Sequence, residues 1–507
     1  MTASARWRRA AAATTILALA ACGDDSNTNA GQPDSTRAAA QAQGQAQGQP
    51  KGGGVAESRG DQLFREAERI ANLGRDLEAR QTFERALAAF RSAGDRAGEG
   101  RTLIALGSLD RAMGQGERGR QVLRDADAVY AAVGDNAGRA EVAVALGELE
   151  RAQFNNETAR RIFDQAAALY RANGDWAGEA RALLGRADVE RRLALILSAR
   201  RSAARAGAIY TVLRDTQNAT LARRTLDEVT TNYPDDDEAD RQAVRDEALA
   251  LEQAGDIVGE AGLLLQLAAL EQRAGRVPQS REVYGRALEL FAAERDTAGQ
   301  VRALTGLGGL ERELERWGAA ATAYTGGLEL ARQLGDAEAE ARMALGLAEV
   351  ELGRGADPAP LIQQSRALFA RAGNRAGDGM ALTIAARAAL RAGDTAQAER
   401  SLTKAQSRLA GDAEGTAHAH VALGDVQRAQ GNAAAAAESY GKALAAFEEA
   451  GAKVAQAWAL FGLGLAQAAT SPIEAKVNLL LAAGLFQSLG IEPRRAEAAA
   501  AATAIAA

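Results

Sequence analysis

Two residues punctuate this chain at a fixed interval. Gly94-Asp95, Gly134-Asp135 and Gly174-Asp175 recur every 40 residues. Arg214-Asp215 keeps the step, and Gly255-Asp256, Arg295-Asp296 and Gly335-Asp336 continue it after a slip of one residue. Gly373-Asn374 and Gly411-Asp412 follow at 38, then Gly451-Ala452 at 40. A glycine can take the left-handed backbone that ends a helix, and an aspartate caps the free amides that begin the next. Each pair therefore reads as a stop followed by a start. A second punctuation falls midway, at Gly114-Gln115-Gly116, Asn155-Asn156, Gly275-Arg276, Gly393-Asp394 and Gly431-Asn432. The spacing predicts units of two helices, each of about 16 residues, stacked as a solenoid.

Composition agrees with closely packed helices. The 507 residues are 47% hydrophobic but only 4% aromatic. The length alone suggests about three domains, but three separate globular cores would use more Phe, Tyr and Trp. The apolar residues are mostly alanine and leucine, which favour helices over strands. Within each unit the first helix carries Leu-Gly at one place: Leu106-Gly107, Leu146-Gly147, Leu307-Gly308, Leu423-Gly424 and Leu463-Gly464. The second helix carries small, large and small residues at i, i+4 and i+7, as in Ala79-Phe83-Ala86, Ala159-Phe163-Ala166, Ser280-Tyr284-Ala287 and Ala436-Tyr440-Ala443.

These positions resemble the tetratricopeptide repeat. The 40-residue step is similar to its long variant, found in Leu-Gly-Asn-type scaffolds and beside bacterial caspase-like domains. The family's tryptophan near the start of the unit is largely missing. The resemblance implies an all-α fold, an α-solenoid forming a right-handed superhelix of about eleven antiparallel helix pairs. It covers residues 61–490, with N-terminal repeats over 61–217, a degenerate repeat over 218–255 and C-terminal repeats over 256–490. Residues 491–507 read as an alanine-rich capping helix or tail. The degenerate unit carries Tyr233-Pro234-Asp235-Asp236-Asp237-Glu238 in place of its turn. Hard oxygen ligands suit calcium, but the run lacks the glycine and spaced acids of a calcium loop. It reads better as an exposed acidic turn capping the next helix, at a place where the curvature of the stack can change.

The N-terminus reads as an address. Arg6, Arg8 and Arg9 precede an apolar run from Ala10 to Ala18, too short to span a bilayer. It ends in Leu19-Ala20-Ala21-Cys22, and Cys22 is the only cysteine. This resembles the lipobox of bacterial lipoproteins, which implies a signal peptide over 1–21, cleavage before Cys22 and lipidation of its thiol. Two or three acyl chains anchor a protein stably. Residue two after the cut is Gly23 rather than the aspartate that retains enteric lipoproteins at the inner membrane. The outer membrane, facing the periplasm, is therefore favoured in a two-membrane host; otherwise the outer face of the cytoplasmic membrane is expected. Residues 22–60 are rich in Gln, Gly and Ala and read as a disordered tether. About 37 residues of such chain span roughly 35 Å.

No catalytic signature emerges. The sequence has no GxxxxGK[ST], HExxH, CxxC or G-x-S-x-G pattern. One cysteine and two histidines leave no disulfide framework and no zinc set. His418 and His420 lie two apart on a helix, facing different ways, and read as a solvated pair. The net charge of -6 offers no basic surplus for nucleic acid. No enzyme activity, cofactor or metal is expected.

In the repeat family the first helices line a concave groove. The groove positions here hold Arg111, Arg151, Arg191, Gln272, Arg312 and Arg428 at one level, and Arg101, Arg181, Arg302 and Arg342 at a second. Glu148, Asp188, Glu349 and Asp425 lie between them. Arginine grips carboxylates with two donors and stays charged, so the ladder suits an acidic or C-terminal peptide. The same arginines can instead pair with the interleaved acids into a self-neutralised face. Trp458 and Phe461, on the last unit's first helix, serve either packing or a binding patch. The expected function is a membrane-anchored scaffold that binds other proteins or peptide segments in the bacterial envelope. The alternative is a non-catalytic accessory or sensor subunit of an envelope peptidase, secretion or signalling system.

Overall fold

The computed structural model describes residues 58–232 and 237–505. Those residues form 23 helices and no strand: eleven antiparallel pairs followed by one last helix, an all-α solenoid. None of these helices is long and apolar enough to cross a membrane. The chain divides into two compact units, residues 1–206 and 207–507, and the division falls inside the helix Ile196–Val212.

In the first unit, helices Arg59–Asn72, Arg96–Ala112, Asn136–Ala152 and Trp176–Arg192 are the first members of their pairs. Their partners are Asp76–Ala93, Gly116–Ala132, Asn156–Asn173 and Ile196–Val212. The predicted stop-and-start chemistry is realised atom by atom. Gly94, Gly134 and Gly174 take φ values of 69°, 70° and 74°, ending their helices in the left-handed region. Asp95, Asp135 and Asp175 then accept the amides of Gly98, Gly138 and Gly178 at 2.9, 2.9 and 2.8 Å. These three glycines have a second role, because a Cβ there would collide with Phe90, Tyr130 or Tyr170 of the preceding helix. The aromatic ring packs against bare backbone.

The internal turn of the third pair departs from the sequence reading. The break expected at Asn155-Asn156 is made by Phe154, which takes φ 65° and is 79% exposed. The helices are also slightly longer than expected, mostly 17 or 18 residues.

Inside each pair the Leu-Gly glycine is the close-approach point. A Cβ on Gly147 would stand 2.9 Å from the Phe163 ring, which is fully buried between Ala159 and Ala166. Successive first helices touch each other, whereas successive second helices make no comparable contact. Each unit therefore curves with its first helices on the concave side.

The second unit repeats this construction. Its first helices include Ile257–Arg273, Thr297–Glu313, Ala337–Arg354, Arg375–Arg391, Ala413–Ala429 and Lys453–Gln467. The unit also closes on itself. Phe461, Phe486 and Ile491 share one buried core with Ala268, Tyr284 and Leu310. Lys453 Nζ donates to the carbonyl of Ala274 at 2.8 Å, and Arg494 grips both carboxylate oxygens of Glu315 at 2.6 and 2.8 Å. The last helix, Glu492–Ala504, buries Ala498 and Ala502 in the same core. Its apolar face is covered partly by the second unit's own early repeats.

Candidate functional site

The C-terminal end of each first helix carries an acid followed by a groove residue: Asp110-Arg111, Glu150-Arg151, Glu190-Arg191, Glu271-Gln272 and Glu311-Arg312. Neighbouring helix positions point about 100° apart, so the two residues serve different surfaces. The acid turns away from the groove and is almost fully buried, with 0–4% of its surface exposed. There it meets an arginine from the second helix of the preceding pair, Arg80 on Asp110, Arg120 on Glu150 and Arg281 on Glu311, and Asp110 also meets Arg118 of its own hairpin. The following residue turns to the concave side. The recurrence of these acids, at 40 residues within each run, was visible in the sequence; their buried role appears only once one pair stacks on the next.

In the first unit the structure brings Arg111, Arg151 and Arg191 onto one strip. Arg151 bonds Glu148 at 2.5 Å and Asp188 at 2.8 Å, and Arg191 bonds Asp188 at 2.7 Å. Arg192 adds a third cation to Asp188 at 2.9 Å. Arg111 has no carboxylate within ion-pairing distance among the described residues, and burial beside Arg151 lowers its pKa despite Glu148. Arg151, Arg191 and Arg192 thus converge on Glu148 and Asp188. The second level is different. Arg101 bonds Asp61 at 2.7 Å and lies over Phe64, with its carbon 4.8 Å from the ring centre. Arg181 bonds Glu141 and the Tyr170 hydroxyl. Both bridge consecutive first helices, 40 residues apart.

In the second unit Arg302 lies over Phe291 and Arg342 pairs with Glu338, both largely exposed. Gln272 donates to Glu313 at 2.8 Å. Arg312 and Arg428 belong to a lumen of about 610 Å³. Its charged lining includes Arg312, Glu313, Glu349, Arg387 and Arg391. Glu349 offers one oxygen to Arg312 at 2.9 Å and the other to Arg387 at 3.2 Å. Its apolar lining includes Val421, Phe447, Val454, Trp458, Phe461 and Leu465.

Burial works on the lumen's acids and bases. It raises Glu313 against the pull of Arg312, and raises Asp425 although the Tyr440 hydroxyl donates to it at 2.6 Å. Burial would lower Arg312, yet Glu349, Tyr324 and Glu313 together push it up. His418 corrects the solvated-pair expectation. Surrounded by protein beside Arg312, it is pushed down to about 4, and its ring stands edge-on to Phe447 at 5.0 Å. His420 is half-buried, with its Nδ1 enclosed and unpartnered. Trp458 and Phe461 pack on Phe486, and Arg494 lies over the Trp458 ring at 4.8 Å. They are at once core and lumen wall.

Of the acidic turn, Tyr233 to Asp236 lie outside the described residues. Glu238 is engaged by Arg241, Arg245 and Arg276, and the Arg241 hydrogen bond helps hold it down at about 2. That glutamate is committed to arginines. Cys22 and the whole segment 1–57 also lie outside the described residues.

Residues 259–333 match the tetratricopeptide repeat family. No curated protein matches the chain. Among solved structures it is similar to the APC/C hetero-tetramer Cut9-Hcn1, at 13% identity, covering 89% of this chain and 97% of that one with a TM-score of 0.39. It is also similar to a Rap protein complexed with competence and sporulation factor, at 12% identity, 79% and 99% coverage and a TM-score of 0.38. Yeast Tom70 matches at 12% identity, 88% and 96% coverage and a TM-score of 0.32. At these scores neither arrangement nor ligand carries over.

Proposed function

We propose that the protein is a membrane-anchored scaffold of the bacterial envelope, binding acidic or C-terminal segments of partner proteins on the concave face of its first unit. One observation carries this reading: Arg151, Arg191 and Arg192 converge on Glu148 and Asp188, and Arg111 beside them makes no ion pair among the described residues. A half-buried strip with surplus guanidinium donors favours a ligand carboxylate, which two parallel hydrogen bonds would hold. Lipidation of Cys22 supplies the anchor, and the residues between it and the first helix the tether. In a host with two membranes the outer one, facing the periplasm, is the expected site.

The test is capture from intact cells by crosslinking, comparing the natural chain with Arg111→Glu/Arg151→Glu/Arg191→Glu. Loss of partners is expected; unchanged capture sinks the arginine strip as the site. Mass spectrometry of the mature N-terminus should find a diacylglyceryl group on Cys22, and an intact unmodified N-terminus overturns the anchoring. A second reading, a non-catalytic sensor subunit of an envelope system, is favoured by the lumen of the second unit, since a scaffold does not require a deep cleft.

A further inference from the structure

We propose that the lumen of the second unit binds a compact amphipathic carboxylate, with its head on Arg312 and Arg387 and its apolar body against Val421, Val454 and Trp458. The proposal deepens the sensor reading and rests on it.

Closure is the first reason. An extended partner segment advances about 3.3 Å per residue and needs an open groove along the first helices. Here the helices 453–504 dock back onto 257–316, so the concave face ends in a bounded space. About 610 Å³ lies within the range of small-molecule sites, roughly 300–1,000 Å³.

The second reason is the mixed lining of arginines and apolar side chains. A wholly apolar guest would leave Arg312, Arg387 and Arg391 desolvated, and a wholly polar one would waste Val421, Phe447, Val454 and Trp458. A guest with one charged end satisfies both.

Charge selects the sign. Glu349 is already shared by two arginines, taking a single close contact from each. A guanidinium has five N–H donors, so both keep donors for a second carboxylate without stripping Glu349. Arg387 is about half exposed, at 47%, so a guest can reach its guanidinium. His418, uncharged near neutral pH, adds a polar group to the lining.

A fatty acid and the C-terminus of a short apolar peptide share this chemistry. The probe is 11-(dansylamino)undecanoic acid, added to the full-length protein and read by energy transfer from tryptophan. Saturable one-to-one binding is expected, with displacement by dodecanoate or by an N-acetylated apolar tetrapeptide. Whichever acid competes at the lower concentration identifies the source. The matching primary amides should compete at least tenfold less well; equal competition overturns the carboxylate head. Arg387→Glu should weaken the probe at least tenfold, and Ala455→Trp, which fills the lumen from a partly exposed position, should abolish binding. Both variants are checked for an unchanged circular dichroism spectrum and cooperative melting. Unchanged affinity in either folded variant, or no saturable binding to the natural chain, overturns the proposal. The arginine-strip triple variant separates the two readings. It should lose partner capture and keep full probe affinity, whereas failure of the lumen site leaves partner capture untouched.

Discussion

In the first unit the long polar rungs join one repeat to the next: Arg101 reaches Asp61 and Arg181 reaches Glu141, each 40 residues away. The second unit uses similar rungs, such as Arg312 to Glu349, but adds contacts at a separation of 179 residues. The hairpin and its capping chemistry are shared. What differs is that the curvature of the second unit returns its last pair to its early ones. A groove becomes a lumen without any new local motif, because closure is the sum of many small rotations between neighbours. Nearest-neighbour stacking should make damage in the first unit local, while damage at the closure should be felt at both ends of the loop.

The strongest way to break this contrast is Phe486→Ala. Phe486 is fully buried against Trp458 and Phe461, so its removal should cost about 3–5 kcal/mol. Hydrogen exchange should rise in helices 257–293 as well as 472–488. Protection lost only in the latter would mean that the closure contributes no cooperativity.

Asp110→Asn is the counterpart in the first unit. It leaves Arg80 and Arg118 without their buried carboxylate, at an expected cost of about 1–3 kcal/mol. Exchange should increase within residues 76–132 alone, and spread into residues 136–192 would show longer-range coupling than the rungs imply.

Glu315→Ala removes the partner of Arg494 in a half-buried pair, which should cost only about 0.5–1 kcal/mol. Its value lies in location: faster exchange is expected first in helix 492–504. Phe154→Gly acts with the opposite sign. Phe154 holds a left-handed conformation while almost wholly exposed, so glycine should stabilise the first unit by up to about 1 kcal/mol in thermal melts. A lower melting temperature would reveal packing by the ring.

The smallest effect concerns pH. His418 titrates near 4 when folded, whereas an unfolded histidine titrates at about 6.5. Between those values the unfolded chain binds more protons, so this group's stabilisation is present above about pH 6.5 and is lost as pH falls towards 4. Glu313 and Asp425, raised by burial, act in the opposite sense as pH rises. Comparing the natural chain with His418→Gln isolates the histidine: the natural chain should lose more of its melting temperature between pH 7 and 5. Equal losses would show an imidazole open to water.

The hairpins were legible because their signals are local. Glycine before aspartate, Leu-Gly, and an aromatic between two small residues each act within one helix or one turn, and Gly94, Asp95, Gly147 and Phe163 do what their chemistry dictates. Even Arg214 and Arg295, where glycine is replaced, hold the left-handed turn at φ 60° and 55°, because the flanking helices impose it. The site was legible only in part. The arginines of the groove stand at a fixed repeat position, but whether each is paired depends on acids one repeat away, such as Asp188 for Arg151 and Glu349 for Arg312. Period and capping residues determined by themselves that this chain forms a series of helix pairs. Only the tertiary structure decided that Arg111 makes no ion pair among the described residues, that His418 faces a lumen, and that Arg494 meets Glu315. Those outcomes depend on the angle between successive pairs, which packing across many residues sets and no single residue encodes.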